Sequence, residues 1–275
     1  MREMEACKAR MRSEESMSRQ VRKLVSDRID VVNSLNRGNK IRLSMEIKRY
    51  LADRSPLVRA AAIDIVREEN LREFMTYALQ GLSDKNYFVR YSSIECLGAL
   101  HEGEGIRADW LYPLLQDTDP VIRVQTIESL GQIGDKESLN LIAEKLDDRD
   151  PLVRAYAAQS IAELDGKQFI TAIEKAAKTE TDDSAKVGFA NALFSLGDEG
   201  QFFVLLGFLS SSDYRVRCAS ANVLSVADLT SVQLKAALEA VSYAARHALA
   251  VADRSTMEHV QKKLRVMSRR WNCTE

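Results

Sequence analysis

Residues 114–135 read LLQDTDPVIRVQTIESLGQIGD, and residues 144–166 read EKLDDRDPLVRAYAAQSIAELDG. Both stretches contain a leucine, an aspartate two positions later, an Asp-Pro pair and then an arginine, which is Arg123 in the first and Arg154 in the second. The interval between the two arginines is too long for a coiled-coil heptad. It is typical of one supersecondary unit that is repeated along the chain.

The same frame extends over most of the sequence. A basic residue recurs with nearly constant spacing at Arg59, Arg90, Arg123, Arg154, Lys186 and Arg217. Six positions before these stand Asp53, Asp84, Asp117, Asp148, Glu180 and Ser211. We name the position of each residue by its offset from the basic residue of its own repeat. The repeat frame therefore covers six units, the last two of which diverge.

The apolar positions of the frame predict helices. Apolar residues at −1 and +7, such as Ile122 with Leu130, share one face of a helix. Proline stands at −3 in three units, at Pro56, Pro120 and Pro151, where it suits the first turn of a helix. A second short amphipathic run precedes each turn, as in residues 110–116 and 138–146. Each unit is predicted to be helix, tight turn, helix.

These strings resemble the HEAT repeat, in the variety first associated with phycobilin lyases. The resemblance covers about residues 45 to 226, with four good units starting at Leu51, Leu82, Leu115 and Leu146 and two divergent ones around Lys186 and Arg217. It implies an all-α fold, an α-solenoid in which antiparallel helix pairs stack into a right-handed superhelix. Because such repeats serve many unrelated tasks, the resemblance predicts fold more sharply than function.

The chain ends fit the same plan. Residues 18–35 and 41–51 are helical in period, and residues 231–252 and 255–271 are predicted to form two closing helices. Terminal units of a solenoid are atypical because one face has no neighbouring repeat. We expect one domain over residues 1–275, with N-terminal capping helices and the first repeat helix over 1–50, recognisable repeats over 51–226 and C-terminal capping helices over 227–275, giving seven or eight hairpins.

The composition of the chain bears on the cellular compartment in which we expect the protein. The sequence has 45% hydrophobic residues, a net charge of −1 and no run of about twenty apolar residues, and its start is densely charged. Cys7, Cys96, Cys218 and Cys273 form no Cys-x-x-Cys pair, and two of them, Cys96 and Cys218, lie within repeat helices, where they are expected in the core. A reducing cytoplasm without membrane association is the expected setting.

The charged residues of the frame are interpreted as structural. Each arginine lies in line with the apolar positions at +4 and +7 of its helix. We expect it to donate hydrogen bonds to turn carbonyls and to reach the turn aspartate of its own or the adjacent repeat. The predicted structural ladder is Asp53, Arg59, Asp84, Arg90, Asp117, Arg123, Asp148 and Arg154.

The sequence contains few residue patterns that are typical of an active site. Three histidines, His101, His247 and His259, make no HxxxH or HxH pair, and no GxxxxGK[ST], GxGxxG or GxSxG string occurs. The HEAT-like iron enzyme deoxyhypusine hydroxylase uses repeated His-Glu dipeptides, whereas this chain has one, His101-Glu102. We therefore predict no enzymatic activity, no catalytic residue, no metal site and no cofactor.

The second helix of each repeat, which lines the concave face in this architecture, carries the candidate binding residues. At +5 stand Asp64, Glu95, Glu128, Gln159, Asn191 and Asn222, and at +2 one unit carries Tyr156. No +5 residue is basic, and the row is acidic in the N-terminal half and neutral beyond it. A solvated helix face is the alternative; we favour a surface for a basic protein partner. The predicted role is an adaptor or a stoichiometric inhibitor, for example an immunity protein that blocks a nuclease toxin.

The sequence is also compatible with two other functions. The first is a bilin-lyase-like enzyme or chromophore-assembly subunit, implied by the family resemblance alone. The second is nucleic-acid binding through the basic end, where residues 245–275 hold seven Lys and Arg against three Asp and Glu, among them Lys262, Lys263, Arg265, Arg269 and Arg270. The inner row lacks the cations of a nucleic-acid groove, so a basic closing helix is the favoured interpretation. The sequence leaves the oligomeric state open, and also whether residues 178–183 form a kink.

Overall fold

The computed structural model describes residues 19–35, 38–101, 107–248 and 251–271, and these residues contain α-helices, short 3-10 helices and turns without a strand. The predicted all-α solenoid class is confirmed. The chain divides into two compact units, residues 1–107 and residues 108–275, which we describe separately as unit 1 and unit 2. The single domain expected over residues 1–275 stays a prediction.

The described residues of unit 1 form one helix followed by two hairpins. Its helices are α1 (Arg19–Asn33), α2 (Lys40–Leu51), α3 (Pro56–Glu68), α4 (Met75–Gly81), with a 3-10 turn at Arg72–Phe74 before it, and α5 (Tyr87–Ala99). Helices α2 and α3 form the first hairpin, and α4 and α5 form the second. Helix α3 packs against both α1 and α5, so the three make a layer of inner helices.

Within residues 108–248 and 251–271, unit 2 forms five hairpins. Its second helices are α6 (Pro120–Ile133), α8 (Pro151–Glu163), α10 (Asp183–Ser195), α12 (Tyr214–Leu224) and α14 (Val251–Trp271). The first helices are α7 (Leu139–Ala143), α9 (Ile170–Thr179), α11 (Gln201–Phe208) and α13 (Ser231–His247), while 3-10 helices at Ala108–Trp110 and Tyr112–Gln116 precede α6. The helix predicted over 138–146 is α7 flanked by 3-10 turns at Lys136–Ser138 and Glu144–Asp147.

Proline and capping residues set where the inner helices begin. Helices α3, α6 and α8 start at Pro56, Pro120 and Pro151, as the sequence predicts. The Asp119 carboxylate accepts the Val121 N–H at 3.0 Å, and the Asp150 carboxylate accepts the Leu152 N–H at 2.9 Å. These contacts pair N–H groups that a helix leaves unpaired in its first turn.

The core lies between the helices of each hairpin and between neighbouring inner helices. Residues at −1 and +7, such as Ile122 with Leu130 and Val153 with Ile161, are fully buried. Cys96 and Cys218 are buried as expected, and burial raises the pKa of the Cys96 thiol to about 12. Burial therefore keeps the Cys96 thiol protonated and unreactive near neutral pH. Cys7 and Cys273 lie outside the described residues.

The two closing helices are present with a shifted boundary. They span Ser231–His247 and Val251–Trp271 instead of the predicted 231–252 and 255–271. Helix α13 begins with a capping box between Thr230 and Gln233, and it ends where Ala248 turns to an extended conformation. The shift places Asp253 inside α14, where its side chain is fully buried.

Candidate functional site

The frame arginines connect successive repeats through a shared geometry. Arg123 donates from Nη1 to the carbonyl of Asp117 in its own turn at 2.8 Å, and from Nη2 and Nε to both carboxylate oxygens of Asp148 at 2.6 and 2.9 Å. Arg154 donates likewise to the Asp148 carbonyl at 2.7 Å and to the Glu180 carboxylate at 2.7 and 2.8 Å. We call each such pair, from an arginine to the carboxylate of the following repeat, a rung.

Unit 1 shows the same geometry. Arg59 donates to the Asp53 carbonyl at 2.8 Å and forms a rung with the Asp84 carboxylate at 2.6 Å. Arg90 donates to the carbonyl of Asp84 at 3.0 Å. In both units each turn aspartate is also oriented by the backbone N–H two positions later, at 2.7 Å for Asp53, 2.8 Å for Asp84, 2.8 Å for Asp117 and 3.0 Å for Asp148.

Two further rungs were missed by sequence reasoning. Arg28 on α1 contacts the Asp53 carboxylate at 3.2 Å, and Arg217 on α12 donates to the buried carboxylate of Asp253. Arg28 stands one repeat period before Arg59, so the period itself could have indicated it. Asp253 lies in a helix without the motif, and only the packing of α14 against α12 brings it to Arg217.

The predicted inner row is more enclosed than a solvated helix face. Asp64, Glu95, Glu128, Tyr156, Gln159 and Asn191 are half-buried, and Asn222 is exposed. Neighbouring inner helices pack side by side, which encloses the +2 and +5 positions between them. The +9 positions Glu68, Ala99, Gln132, Glu163, Ser195 and Val226 are the exposed ones. The open surface of the inner helices is therefore centred nearer +9.

In unit 1 the acidic charge of the inner row is offset. The Glu95 carboxylate lies 3.7 Å from the Arg67 guanidinium and accepts the Tyr91 hydroxyl at 3.5 Å. Arg67 stands at +8 of its repeat, an offset that the +2, +5 and +9 rows do not sample. The acidic character expected for Glu95 from sequence is reduced by this neighbour.

In unit 2 three of the predicted residues meet around one small pocket. Its volume is about 70 Å³, and we call it the acidic pocket; it is lined by Glu128, Gln132, Tyr156, Gln159, Ser160 and Glu163. Helix α6 supplies Glu128 and Gln132, one turn apart, and α8 supplies the rest. The lining contains two carboxylates and no Lys or Arg.

Two side-chain hydrogen bonds and one glycine define the shape of the acidic pocket. Gln159 donates from Nε2 to the Glu163 carboxylate at 2.9 Å, one helical turn away, and Ser160 donates from Oγ to the carbonyl of Ile127 on α6 at 3.0 Å. A Cβ at Gly131 would lie 2.3 Å from the Ser160 hydroxyl and 3.0 Å from a Glu163 carboxylate oxygen. The glycine therefore provides the space that α8 uses to approach α6.

The carboxylates of Glu128 and Glu163 act on the phenol of Tyr156 in the acidic pocket. Burial raises the pKa of the Tyr156 phenol, and the nearby carboxylates of Glu128 and Glu163 raise this pKa further. Near Tyr156, these carboxylates favour an added positive charge and disfavour an added negative charge. Chemically, the arrangement can accept hydrogen bonds from a cation and offers an aromatic ring beside it.

The remaining predicted residues lie apart from this pocket. Asn191 on α10 and Asn222 on α12 are not among its lining residues. On α14, Lys262, Lys263 and Arg265 are exposed, and Met267 packs against the hydrophobic core. For Arg269, Arg270 and Trp271 the structure describes the helical backbone and not the side chains.

In the part of the chain that the structure describes, no three His, Cys, Asp or Glu side chains come together as metal ligands would. Within the same ranges, no helix combines the length and the apolar character that a membrane span requires.

The matches to known protein families fall in the part of the chain where the repeat frame occurs. The profile for HEAT repeats matches residues 108–193, and the profile for a HEAT repeat matches residues 74–103. No curated protein sequence gives a significant match. A structure of the complex of CpcE and CpcF of phycocyanin lyase from Nostoc sp. PCC7120 is similar with a TM-score of 0.55 and 14% identity, covering 79% of this chain and 93% of that one.

Two weaker structural similarities were also found. Human deoxyhypusine hydroxylase, in complex with glycerol, has a TM-score of 0.41 and 18% identity over 88% of this chain and 98% of that one. The archaeal HEAT-like repeats protein from Thermococcus onnurineus NA1 has a TM-score of 0.36 and 16% identity over 87% and 93%. The profile matches show that this chain carries HEAT repeats over residues 74–103 and 108–193, and the paired helices and periodic rungs extend the same repeating hairpin beyond these ranges.

Proposed function

We propose that this protein is a non-enzymatic binding module that holds a basic protein partner on the inner helices of unit 2. The observation that supports this proposal best is the acidic pocket, in which Glu128 and Glu163 flank the half-buried Tyr156. HEAT repeats form protein-interaction scaffolds, and stacked inner helices offer an extended surface of fixed geometry.

The chemistry of the acidic pocket suits a lysine or arginine side chain of the partner. A cationic head placed in the pocket would be attracted by the carboxylates of Glu128 and Glu163, and the lining oxygens would accept its hydrogen bonds. The Tyr156 ring adds a cation–π contact worth about 0.5–2 kcal/mol. The pocket volume of about 70 Å³ fits the end of one side chain rather than a whole small-molecule ligand.

The rest of the inner surface provides area without strong charge. Asn191 on α10 and Asn222 on α12 present amide groups, and Ser195 is exposed at +9. Such neutral polar groups surround an interface without selecting the sign of the partner's charge. The acidic pocket would therefore set the preference for a basic partner, and the neighbouring helices would supply the contact area.

An adaptor and a stoichiometric inhibitor are both consistent with this surface. An inhibitor could cover the basic active-site cleft of an enzyme such as a nuclease toxin, because opposite charges steer association and hold the complex in register. Either role requires no cofactor and no catalytic residue in this chain.

The proposal is tested by isolating the tagged protein from its own host at moderate and high salt and identifying what co-purifies. We expect one basic protein in a fixed molar ratio. The double variant Glu128→Lys, Glu163→Lys should lower its affinity at least tenfold, since two attractive contacts become repulsive. Binding by this variant with unchanged affinity would contradict the proposed site.

A matched control places the same charge change elsewhere in unit 2. Glu137 and Glu144 are exposed on short 3-10 helices at the first-helix positions of their hairpin, and neither lines the acidic pocket. The variant Glu137→Lys, Glu144→Lys should bind the partner with nearly native affinity. An equal loss in both variants would assign the effect to net charge, and the absence of any co-purifying protein would contradict stoichiometric binding.

A further inference from the structure

One repeat junction in unit 2 lacks the rung that its neighbours have. Lys186 occupies the arginine position of its repeat, and Ser211 occupies the carboxylate position of the next. The Lys186 ammonium pairs with Asp183 of its own helix at 2.8 Å. The Ser211 hydroxyl, which carries no charge, accepts the Asp213 N–H at 3.2 Å. Both halves of the rung are therefore replaced at the same junction.

The inner helices are also packed unevenly at this point. Helix α10 contacts α8 along more of its length than it contacts α12. On the α8 side the approach is close, because a Cβ at Gly188 would lie 2.7 Å from the Ala155 Cβ. On the α12 side the inner helices meet over a smaller area and without a rung. The link from α10 to the following repeat is apolar, through a cluster that includes Val187 of α10 and Phe202 and Leu205 of α11.

The outer side of the same junction is open. A cleft of about 390 Å³ separates α9 from α11, and its floor is formed by α10. Ala177 of α9 and Val204 and Phe208 of α11 line its walls, and Lys186 also lines it. First helices that packed closely would fill this space with side chains.

We propose that the junction at residues 196–200, between α10 and α11, is a hinge built into unit 2. The repeats before it, α6 to α10, and the repeats after it, α11 to α14, move and open as two bodies. In a repeat array the stability of the whole is the sum of repeat terms and nearest-neighbour interface terms, so the weakest interface divides the array. With the rung missing, the inner contact reduced and the cleft open, the apolar cluster is the main link across this interface.

The inference extends beyond the proposed function and does not depend on a partner. If a partner does occupy the inner surface, the hinge lies between Gln159, before the junction, and Asn222, after it. Rotation about the junction would change the distance between these two parts of the inner surface. The first test is made on the free protein, so it stays independent of the acidic pocket.

The experiment is hydrogen–deuterium exchange of the full chain at low denaturant concentrations. In the native protein, amides of α12 and α14 should share one opening reaction, and amides of α8 and α10 should open at least tenfold less often. In Lys186→Arg, Ser211→Asp, which restores both halves of the rung, this difference should shrink to less than threefold. A single opening reaction for all four helices of the native protein would overturn the hinge.

A converse variant keeps the test informative if the restored rung disturbs folding. Arg123→Lys, Asp148→Ser places the same lysine and serine at an intact junction between α6 and α8. We expect a new division of exchange between these two helices, with a tenfold or larger increase in the opening of α6. If this variant leaves the exchange of α6 and α8 equal, the rung does not determine where the array divides, and the proposal fails.

Discussion

Arg123 shows at the scale of one residue how this fold uses a buried charge. Its side chain is 4% exposed and that of Asp148 is 9% exposed, so the pair lies almost entirely out of water. The guanidinium is saturated by a bidentate carboxylate and a turn carbonyl. Desolvation offsets much of the attraction in such a pair, so the rung fixes how two repeats meet and adds the remainder to the stability of their interface.

Removing one partner of this rung should be costly. In Arg123→Ala the Asp148 carboxylate stays buried without its cation, and the free energy of unfolding should fall by about 3 kcal/mol. Urea unfolding followed by circular dichroism measures the change. Arg149, which is exposed and donates to the Thr118 carbonyl at 3.0 Å, provides the control. Arg149→Ala should change stability by less than about 0.5 kcal/mol, and equal losses would contradict a buried-charge effect.

At the scale of helices, small residues decide how closely neighbours approach. Gly188 and Gly207 both lie within helices, α10 and α11, but their surroundings differ. A Cβ at Gly188 would lie 2.7 Å from the Ala155 Cβ, whereas a Cβ at Gly207 would have no neighbour within 4 Å. In the sequence both positions are glycines of a helical segment, and only the packing distinguishes them.

Substitution of these two glycines should have opposite effects. Gly188→Ala forces α10 away from α8 and should lower the free energy of unfolding by about 1–3 kcal/mol. Gly207→Ala restricts the unfolded chain without a clash and should raise stability by about 0.4–1 kcal/mol. Thermal unfolding of the two variants against the native protein measures both. A destabilising Gly207→Ala would show that α11 is packed against a surface that leaves no room for a methyl group.

At the scale of the whole molecule, the ladder carboxylates link folding to pH. Hydrogen bonds from Arg154 hold the pKa of Glu180 below its ordinary value of 4.5 despite burial. Burial disfavours ionisation of Asp148, but hydrogen bonds from Arg123 and from the Asp150 N–H lower its pKa below 3.8. A depressed folded pKa contributes stability that is present above the unfolded pKa and is lost as pH falls through the folded value.

The acid limb of the stability curve should therefore depend on Glu180. Between about pH 5 and pH 3 the native protein should lose stability with decreasing pH more steeply than Glu180→Gln, whose amide does not titrate. At pH 7 the variant should be the less stable of the two, because Arg154 loses its charged partner. Urea unfolding at a series of pH values gives both slopes. Parallel slopes would contradict the linkage, and Glu144→Gln, at an exposed position, serves as control.

Much of the fold could be predicted because its signal is local and repeated. The constant period, proline at −3 and apolar residues at −1 and +7 fix helices, turns and the buried faces within each hairpin. The arginine and turn aspartate recur with this frame, so their structural use was predictable. Where the frame is absent, as at Asp253 and at the boundary between α13 and α14, the prediction was incomplete.

The candidate site depended on contacts between repeats. The sequence placed Glu128, Tyr156 and Gln159 on inner helices. The packing of α6 against α8 adds Gln132, Ser160 and Glu163 to the pocket lining. The same packing explains why position 131 is a glycine, since a Cβ there would meet α8. The offset of Glu95 by Arg67 and the cleft beside Lys186 likewise follow from neighbouring helices. The sequence by itself determined the repeat, its helices and its ladder, because those depend on residues within about one period of each other. Tertiary structure alone decided which charges meet and where the stack is weak, because packing distances between helices are set by side-chain volumes summed over several repeats.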